Sequence, residues 1–249
     1  MTRMEGTLME AGKLYLADAY RATAPGLVAA HGADGSVVLD QSLFYATSGG
    51  QPGDRGMLAW EGGTLPIGTA IKGDGDTIVL IPEEQGPLPP IGTPVTQEID
   101  MTLRRGHMRV HTALHLLSVV IPRPVTGGSI SADKGRLDFD MDVAPEKAAV
   151  EAALNELIAR DLPVSDRWIT DAEMDAQPEL VKTLSVAPPR GSGRVRLVQI
   201  GAGADPVDLQ PCGGTHVART GEIGRIRVGK MEKKGRQNRR VYIHLDDTP

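Results

Sequence analysis

One cysteine, eight aromatic residues and no long apolar run limit what this 249-residue chain can be. A single cysteine, Cys212, cannot close an intrachain disulfide, so the fold does not draw on an oxidising compartment and the thiol is free for other chemistry. No window approaches the roughly eighteen apolar residues of a membrane span. The opening stretch MTRMEGTLMEAGKLYL has no uninterrupted apolar core of the kind a secretory signal carries. A soluble, cytoplasmic protein with no membrane partner is therefore expected. A formal net charge of −5 argues against a chain held on nucleic acid by bulk positive charge, and DNA is not an expected partner. So few aromatics leave little material for stacking on bases.

What is present is ordinary globular material: 40% hydrophobic residues supply cores for one large domain or two modest ones. The first ninety or so residues read as β. Short apolar stretches at 26–30 and 36–39 flank the turn-prone HGADG, and 77–81 follows KGDGD. The segment PEEQGPLPPIGTP, residues 82 to 94, carries five prolines and sustains neither a helix nor a central strand. A boundary near residue 95 is expected there, separating a small β-barrel domain (1–95) from a second domain (96–249). In the second, Val110, Leu114, Leu117 and Ile121 recur at helical spacing. APEKAAVEAALNELIARD predicts another helix with Pro145 in its first turn, and Thr170 to Glu173 has the form of a capping box. After the turn-rich APPRGSG, the stretches GRVRLVQIG, GRIRVGK and RVYIHL alternate with period two, as strands do. The expected class is α+β, with a two-layer second domain on a largely antiparallel sheet.

Charge is unevenly spread. Between Glu222 and Arg240 stand eight cations against two acids, ending in KMEKKGRQNRR, which reads as a phosphate-contacting loop between strands. The strongest chemical signal lies in two spaced pairs. His111 and His115, at i and i+4, share one helix face, close enough for both rings to reach one ion. Cys212 and His216, across Gly213, Gly214 and Thr215, add two donors on a turn that glycine lets fold tightly. Together they form a Cys-plus-three-His set suited to tetrahedral Zn²⁺. HTALH has no glutamate between its histidines, so it lacks the general base of an HExxH metalloprotease. A cysteine nucleophile beside His216 would leave His111 and His115 unexplained. A structural site would close on all four ligands and a catalytic one would keep a position open; spacing allows either.

The motifs HTALHLL (111–117) and CGGTHV (212–217), with FYATSGGQPGDRG (44–56) and KGRQNRR (234–240), occur in an order that resembles the alanyl-tRNA editing proteins of the AlaX type. These are free-standing relatives of the alanyl-tRNA synthetase editing domain. The resemblance covers almost the whole chain and points to the longer members, with an N-terminal β-barrel ahead of the catalytic domain. It implies zinc-dependent hydrolysis of the ester joining serine, and secondarily glycine, to alanine tRNA. It makes His111, His115, Cys212 and His216 both metal ligands and the catalytic centre. It also makes Thr47 a catalytic and substrate-binding residue that senses the serine hydroxyl, with Gly49, Gly50 and Gln51 behind it. One departure from the synthetase pattern is VTGGSIS, where Gly127 and Gly128 stand in place of a glutamine.

Editing of this kind has a physical rationale. A pocket for alanine rejects serine only weakly, by about 10²-fold, so a second sieve that hydrogen-bonds the hydroxyl is useful. The tRNA acceptor end is the expected partner, its phosphates met by Arg104, Arg105, Lys230, Lys233, Lys234, Arg236, Arg239 and Arg240. Two other readings stay open: a non-catalytic zinc module that binds RNA, and a deacylase of the same fold acting on another mischarged tRNA, such as serine on threonine tRNA.

Overall fold

The computed structural model describes residues 12–182 and 193–246. Two compact units emerge from it: residues 1–48 with 52–104, and residues 49–51 with 105–249. The first is a closed six-stranded barrel of β1 (Thr23–His31), β2 (Val37–Leu39), β3 (Gly56–Trp60), β4 (Gly63–Lys72), β5 (Ile78–Pro82) and β6 (Pro94–Ile99), in the order β1-β2-β5-β4-β3-β6. Strict alternation of buried and exposed residues along β6, and along most of β1, sends Ala24, Val28, Val95 and Ile99 inward. Closure removes the free edges that a small sheet would otherwise present. The proline-rich run at 82–94 connects β5 to β6 inside this barrel, with Pro82 ending one strand and Pro94 opening the next. Prolines are tolerated there because a strand's first residue need not donate to the ladder. The last barrel strand therefore runs through residue 99, past the boundary expected near 95.

A buried ion pair closes the barrel unit. A one-turn helix, α1 (Leu14–Ala17), precedes the barrel strands; Arg104, in the first turn of α2 (Met101–Val120), has no exposed surface, and Asp54 is 1% exposed. The guanidinium donates to both carboxylate oxygens, Nε to Oδ1 at 2.8 Å, and to the carbonyls of Leu43 (2.9 Å) and Ala19 (3.0 Å). Asp54 also accepts from the Tyr45 amide. The polar demands of both charges are met, which is what makes a buried pair tolerable. Arg104 therefore cannot serve as the phosphate contact expected from its sequence position.

In the second unit α2 is buried nearly all round: from Gly106 to Ser118 every residue except Arg109 is buried, so the expected single apolar stripe understates it. A four-stranded antiparallel sheet has the order β12-β13-β8-β7, from β7 (Val125–Ile130), β8 (Lys134–Asp140), β12 (Ile226–Gly235) and β13 (Asn238–Leu245). A separate three-stranded antiparallel sheet, β11-β10-β9, comprises β9 (Val164–Thr170), β10 (Arg194–Ile200) and β11 (Asp208–Pro211). The α+β class expected from the sequence is what forms, with the antiparallel pairing divided between two sheets. Helix α3 (Lys147–Ala159) begins after Glu146, whose side chain caps Ala149 N, so Pro145 precedes the cap instead of lying in the first turn. The capping box opens α4 (Asp171–Asp175) as expected, with Glu173 N donating to Thr170 Oγ1 at 3.1 Å and Thr170 N to Glu173 Oε2 at 2.7 Å. The turn expected at APPRGSG lies, apart from Gly193, outside the described residues. No helix among the described residues is long and apolar enough to cross a membrane.

Truncation of one partner of the barrel's ion pair strands the other as a buried charge. Arg104→Ala is expected to cost about 3–5 kcal/mol of barrel stability, read as a lowered midpoint in urea denaturation. A change under about 0.5 kcal/mol, the range of ordinary surface substitutions, would show that Arg104 is not a structural charge.

Candidate metal centre

His111 and His115 sit one turn apart on α2, while Cys212 follows β11 directly and His216 lies four residues beyond it. Their ligand-capable atoms all lie within 4.8 Å of one another. Cys212 Sγ is 3.5 Å from His111 Nε2 and 3.2 Å from His216 Nε2. The turn that brings Cys212 and His216 together is held by Arg196 on β10, whose Nη1 donates to the carbonyls of Cys212 (3.1 Å) and Gly214 (2.9 Å). Gly214 permits the approach: a Cβ there would lie 2.2 Å from His111 Cε1 and 2.9 Å from Gln51 Oε1.

Each imidazole is tied outward through Nδ1. His111 Nδ1 meets Gln51 Oε1 at 2.8 Å. His115 Nδ1 meets Asp208 Oδ2 at 2.9 Å, and Asp208 is in turn bound by Lys182 and by Gln210 Nε2. His216 Nδ1 lies 3.1 Å from Thr112 Oγ1, whose own hydrogen goes to Met108 O at 2.9 Å, leaving the oxygen as an acceptor. With every Nδ1 turned outward, the three Nε2 atoms and one sulfur face a common point, and each Nε2 offers a lone pair once its ring is neutral. Such outer partners fix ring tautomer and orientation in metal sites.

The electrostatics agree with that layout. Burial opposes ionisation of the Cys212 thiol, but His111 and His216 beside it hold its pKa well below the ordinary value, as a thiolate. Burial disfavours a His115 cation, yet hydrogen bonds to Asp208 and Cys212 outweigh it and raise the pKa to about 9. Burial and the neighbouring His111 push His216 down to about 3. Asp208, despite burial, is brought to about 2 by His115 and Lys182. The cluster thus holds a thiolate, uncharged imidazole at His216 and one exchangeable proton on His115. A cation that displaces that proton finds a ready donor set, and the four residues form a group able to hold a metal ion.

Other residues singled out from sequence fall in several places. Gln51 is fully buried in the second unit, against His111 and Thr215. Gly50 has φ +83°, its carbonyl accepts from Ile130 N at 2.9 Å, and a Cβ on it would lie 2.9 Å from Gly128 O, so glycine is required there. Gly49 is exposed with φ +55°. In the barrel unit Thr47 is exposed, its hydroxyl donating to Ala70 O (3.2 Å) and accepting from Gly53 N (2.8 Å). The basic run forms the hairpin of β12 and β13, with Arg236 and Gln237 at its tip. Arg105, Lys230, Lys233, Lys234 and Arg236 are exposed; Lys230 and Lys234 both pair with Glu232. Arg240 is bound twice to Asp138, and Arg239 is buried, its guanidinium on the carbonyls of Asp142, Gly235 and Asn238. Arg239, like Arg104, is a structural cation with little surface to offer a phosphate. Sequence reasoning passed over Asp208, Thr112 and Arg196, since a lone acid, threonine or arginine carries no spacing signal.

The sequence has counterparts among known proteins. Residues 195–242 match the family model described as the threonyl and alanyl tRNA synthetase second additional domain, and residues 20–103 match that of class II (A) tRNA synthetases. The chain is 35% identical to an alanine–tRNA ligase of Pyrobaculum calidifontis over 92% of its own length, but spans only 27% of that protein. Against proteins named alanyl-tRNA editing protein AlaX-M it aligns over nearly its full length. Identity is 33% to that of Methanosarcina acetivorans and 34% to that of Methanosarcina barkeri, each over 94% of this chain and 98% of the relative. A barrel followed by a unit bearing the His, His, Cys, His cluster, matched over nearly the full length of both sequences, places this chain in the family of AlaX-M alanyl-tRNA editing proteins.

Proposed function

We propose that the chain is a zinc-dependent deacylase that acts in trans on mischarged alanine tRNA, releasing serine chiefly and glycine as a second substrate. The observation that carries this reading is the convergence of His111, His115, Cys212 and His216 from two distant segments onto one point, in a member of this family. Three neutral imidazoles and a thiolate are the donor set zinc prefers over harder cations. A zinc ion held there supplies Lewis acidity for hydrolysis of the aminoacyl ester. The chain's own contribution is to hold the four donors rigid, through Gln51, Asp208, Thr112 and Arg196. Thr47 is assigned to the serine hydroxyl; after its bonds to Ala70 and Gly53 its oxygen keeps one lone pair to accept that hydrogen. Alanine has no hydroxyl to give this acceptor, so it lacks the contact that holds serine and the second sieve spares it. As a partner of tRNA, the protein works in the cytoplasm.

Exposed cations on the β12–β13 hairpin, with Arg105, are assigned to tRNA phosphates. A second reading, a non-catalytic zinc module that binds RNA, is favoured by one observation: four protein donors already fill a tetrahedral shell.

Purified protein incubated with serine-charged and alanine-charged alanine tRNA is expected to release serine and spare alanine; zinc-loaded protein that retains the tRNA without releasing serine would establish the second reading. Cys212→Ala is expected to lower bound zinc, read by elemental analysis, and to abolish deacylation, whereas an unchanged rate removes Cys212 from the site. Charge reversal at the hairpin, Lys233→Glu with Arg236→Glu, is expected to raise KM with kcat nearly unchanged. It should also reduce the salt dependence of tRNA binding, lowering the log–log slope by about one for each phosphate no longer neutralised.

Acidity gives a further check. His115, raised to about 9, is protonated at pH 7 in the metal-free protein and must lose that proton to bind zinc. Affinity should therefore rise with pH, by up to about tenfold per unit between pH 7 and 9 on account of His115, and calorimetry in buffers of different ionisation enthalpy should read close to one proton released. A flat profile over that interval would mean that zinc binding displaces no proton from His115.

A further inference from the structure

Gln51 belongs by sequence to the glycine-rich motif at 44–56, yet its side chain does nothing for the loop that surrounds it. It is fully buried, and its polar atoms are spent on two residues of the metal centre's unit: Oε1 meets His111 Nδ1 at 2.8 Å and Thr215 N at 3.2 Å, and Nε2 donates to Thr215 Oγ1 at 2.8 Å. The orientation of the amide is decided by Thr215 N, which can only donate, so the atom it shares with His111 is the carbonyl oxygen. It follows that Nδ1 of His111 carries a hydrogen, so that in the neutral ring the lone pair belongs to Nε2, which lies 3.5 Å from Cys212 Sγ.

We propose that Gln51 is a positioning residue of the metal centre: through its carbonyl oxygen it locks His111 in the Nδ1–H tautomer and sets the ring angle at which Nε2 can bind the ion. This rests on the zinc reading above. The surrounding backbone is shaped to deliver that oxygen. Gly50 takes a left-handed conformation against Gly128, where no Cβ fits, and its carbonyl accepts from Ile130, which pins the residue before Gln51 to β7. Gly214 lacks a Cβ where one would lie 2.9 Å from Gln51 Oε1 and 2.5 Å from His111 Nδ1. Two glycines from two motifs thus clear the path of a single hydrogen bond. His115 has a carboxylate in the corresponding place and His216 a hydroxyl, so the three ligands have outer partners of three different chemistries.

The variants Gln51→Leu and Gln51→Glu separate positioning from packing. Leucine removes the acceptor; glutamate keeps it for His111 and for Thr215 N while losing the amide donor to Thr215 Oγ1. Zinc affinity is measured by competition with a chromogenic chelator, with circular dichroism confirming the fold. Gln51→Leu is expected to bind zinc roughly 10- to 100-fold more weakly, and Gln51→Glu to stay within about threefold of wild type. Equal losses in both would mean that the bond to Thr215 Oγ1, a packing role, is what matters, and would overturn the proposal. So would a folded Gln51→Leu that binds zinc as tightly as wild type, while leaving the zinc reading intact. Wild type without zinc affinity would remove that reading and the proposal together. If Gln51→Leu does not fold, ¹⁵N resonances of metal-free wild-type His111 decide: the Nδ1–H tautomer is expected, and the Nε2–H tautomer overturns the assignment.

Discussion

A buried imidazole has two ring nitrogens and can satisfy only one as donor while it is neutral, and the candidate metal centre depends on that constraint. Each of its three histidines turns Nδ1 outward, to an amide carbonyl, a carboxylate or a hydroxyl, which leaves three Nε2 atoms turned toward one sulfur. Without those outer acceptors the rings could adopt either tautomer, and burial would favour whichever arrangement lets them bond to one another or to sulfur. The outer acceptors in turn depend on the fold: Thr112 on the same helix as His111, Asp208 on β11, and Gln51 brought in beside β7 by the left-handed Gly50.

Burial in this chain is repeatedly combined with charge, and three buried guanidiniums each donate to several oxygens. Arg104 and Asp54 satisfy one another and two backbone carbonyls within the barrel unit; Arg239 sits on three carbonyls beneath the β12–β13 hairpin; Arg196 braces the turn that carries Cys212 and His216. A guanidinium suits these places because its planar fork reaches several oxygens at once, where an ammonium would act as a point charge. The consequence for function is that a basic sequence is a poor guide to a basic surface. Of the cations in the C-terminal run, Arg239 and Arg240 are committed to the fold, and Lys230 and Lys234 share an acid, while Lys233 and Arg236 stand exposed at the hairpin end.

Much of this architecture is legible in the order of residues alone. Period-two alternation marks β10, β12 and β13, helical spacing marks α2, and the capping box at Thr170 and Glu173 forms as its spacing requires. The four candidate donors are legible because two of them lie one helical turn apart and the other two straddle a glycine pair, spacings that are local and survive without tertiary context. Strands β3, β4, β6 to β9 and β11 are not individually legible: most are short or interrupted by glycine and proline, β9 (VSDRWIT) carries too few apolar residues to mark a buried face, and several pair with distant strands, as β6 does with β1 and β8 with β13.

By itself, then, the sequence determined the class of fold, the family and the four residues able to hold an ion, because each is encoded by local periodicity or by short motifs. Only tertiary structure decided that Arg104 and Arg239 are buried struts, that the proline-rich run is a loop within the barrel, and that Gln51 faces His111 across 60 positions of chain. Those outcomes turn on which distant atoms come within hydrogen-bond reach, and nothing in the spacing of neighbouring residues records that.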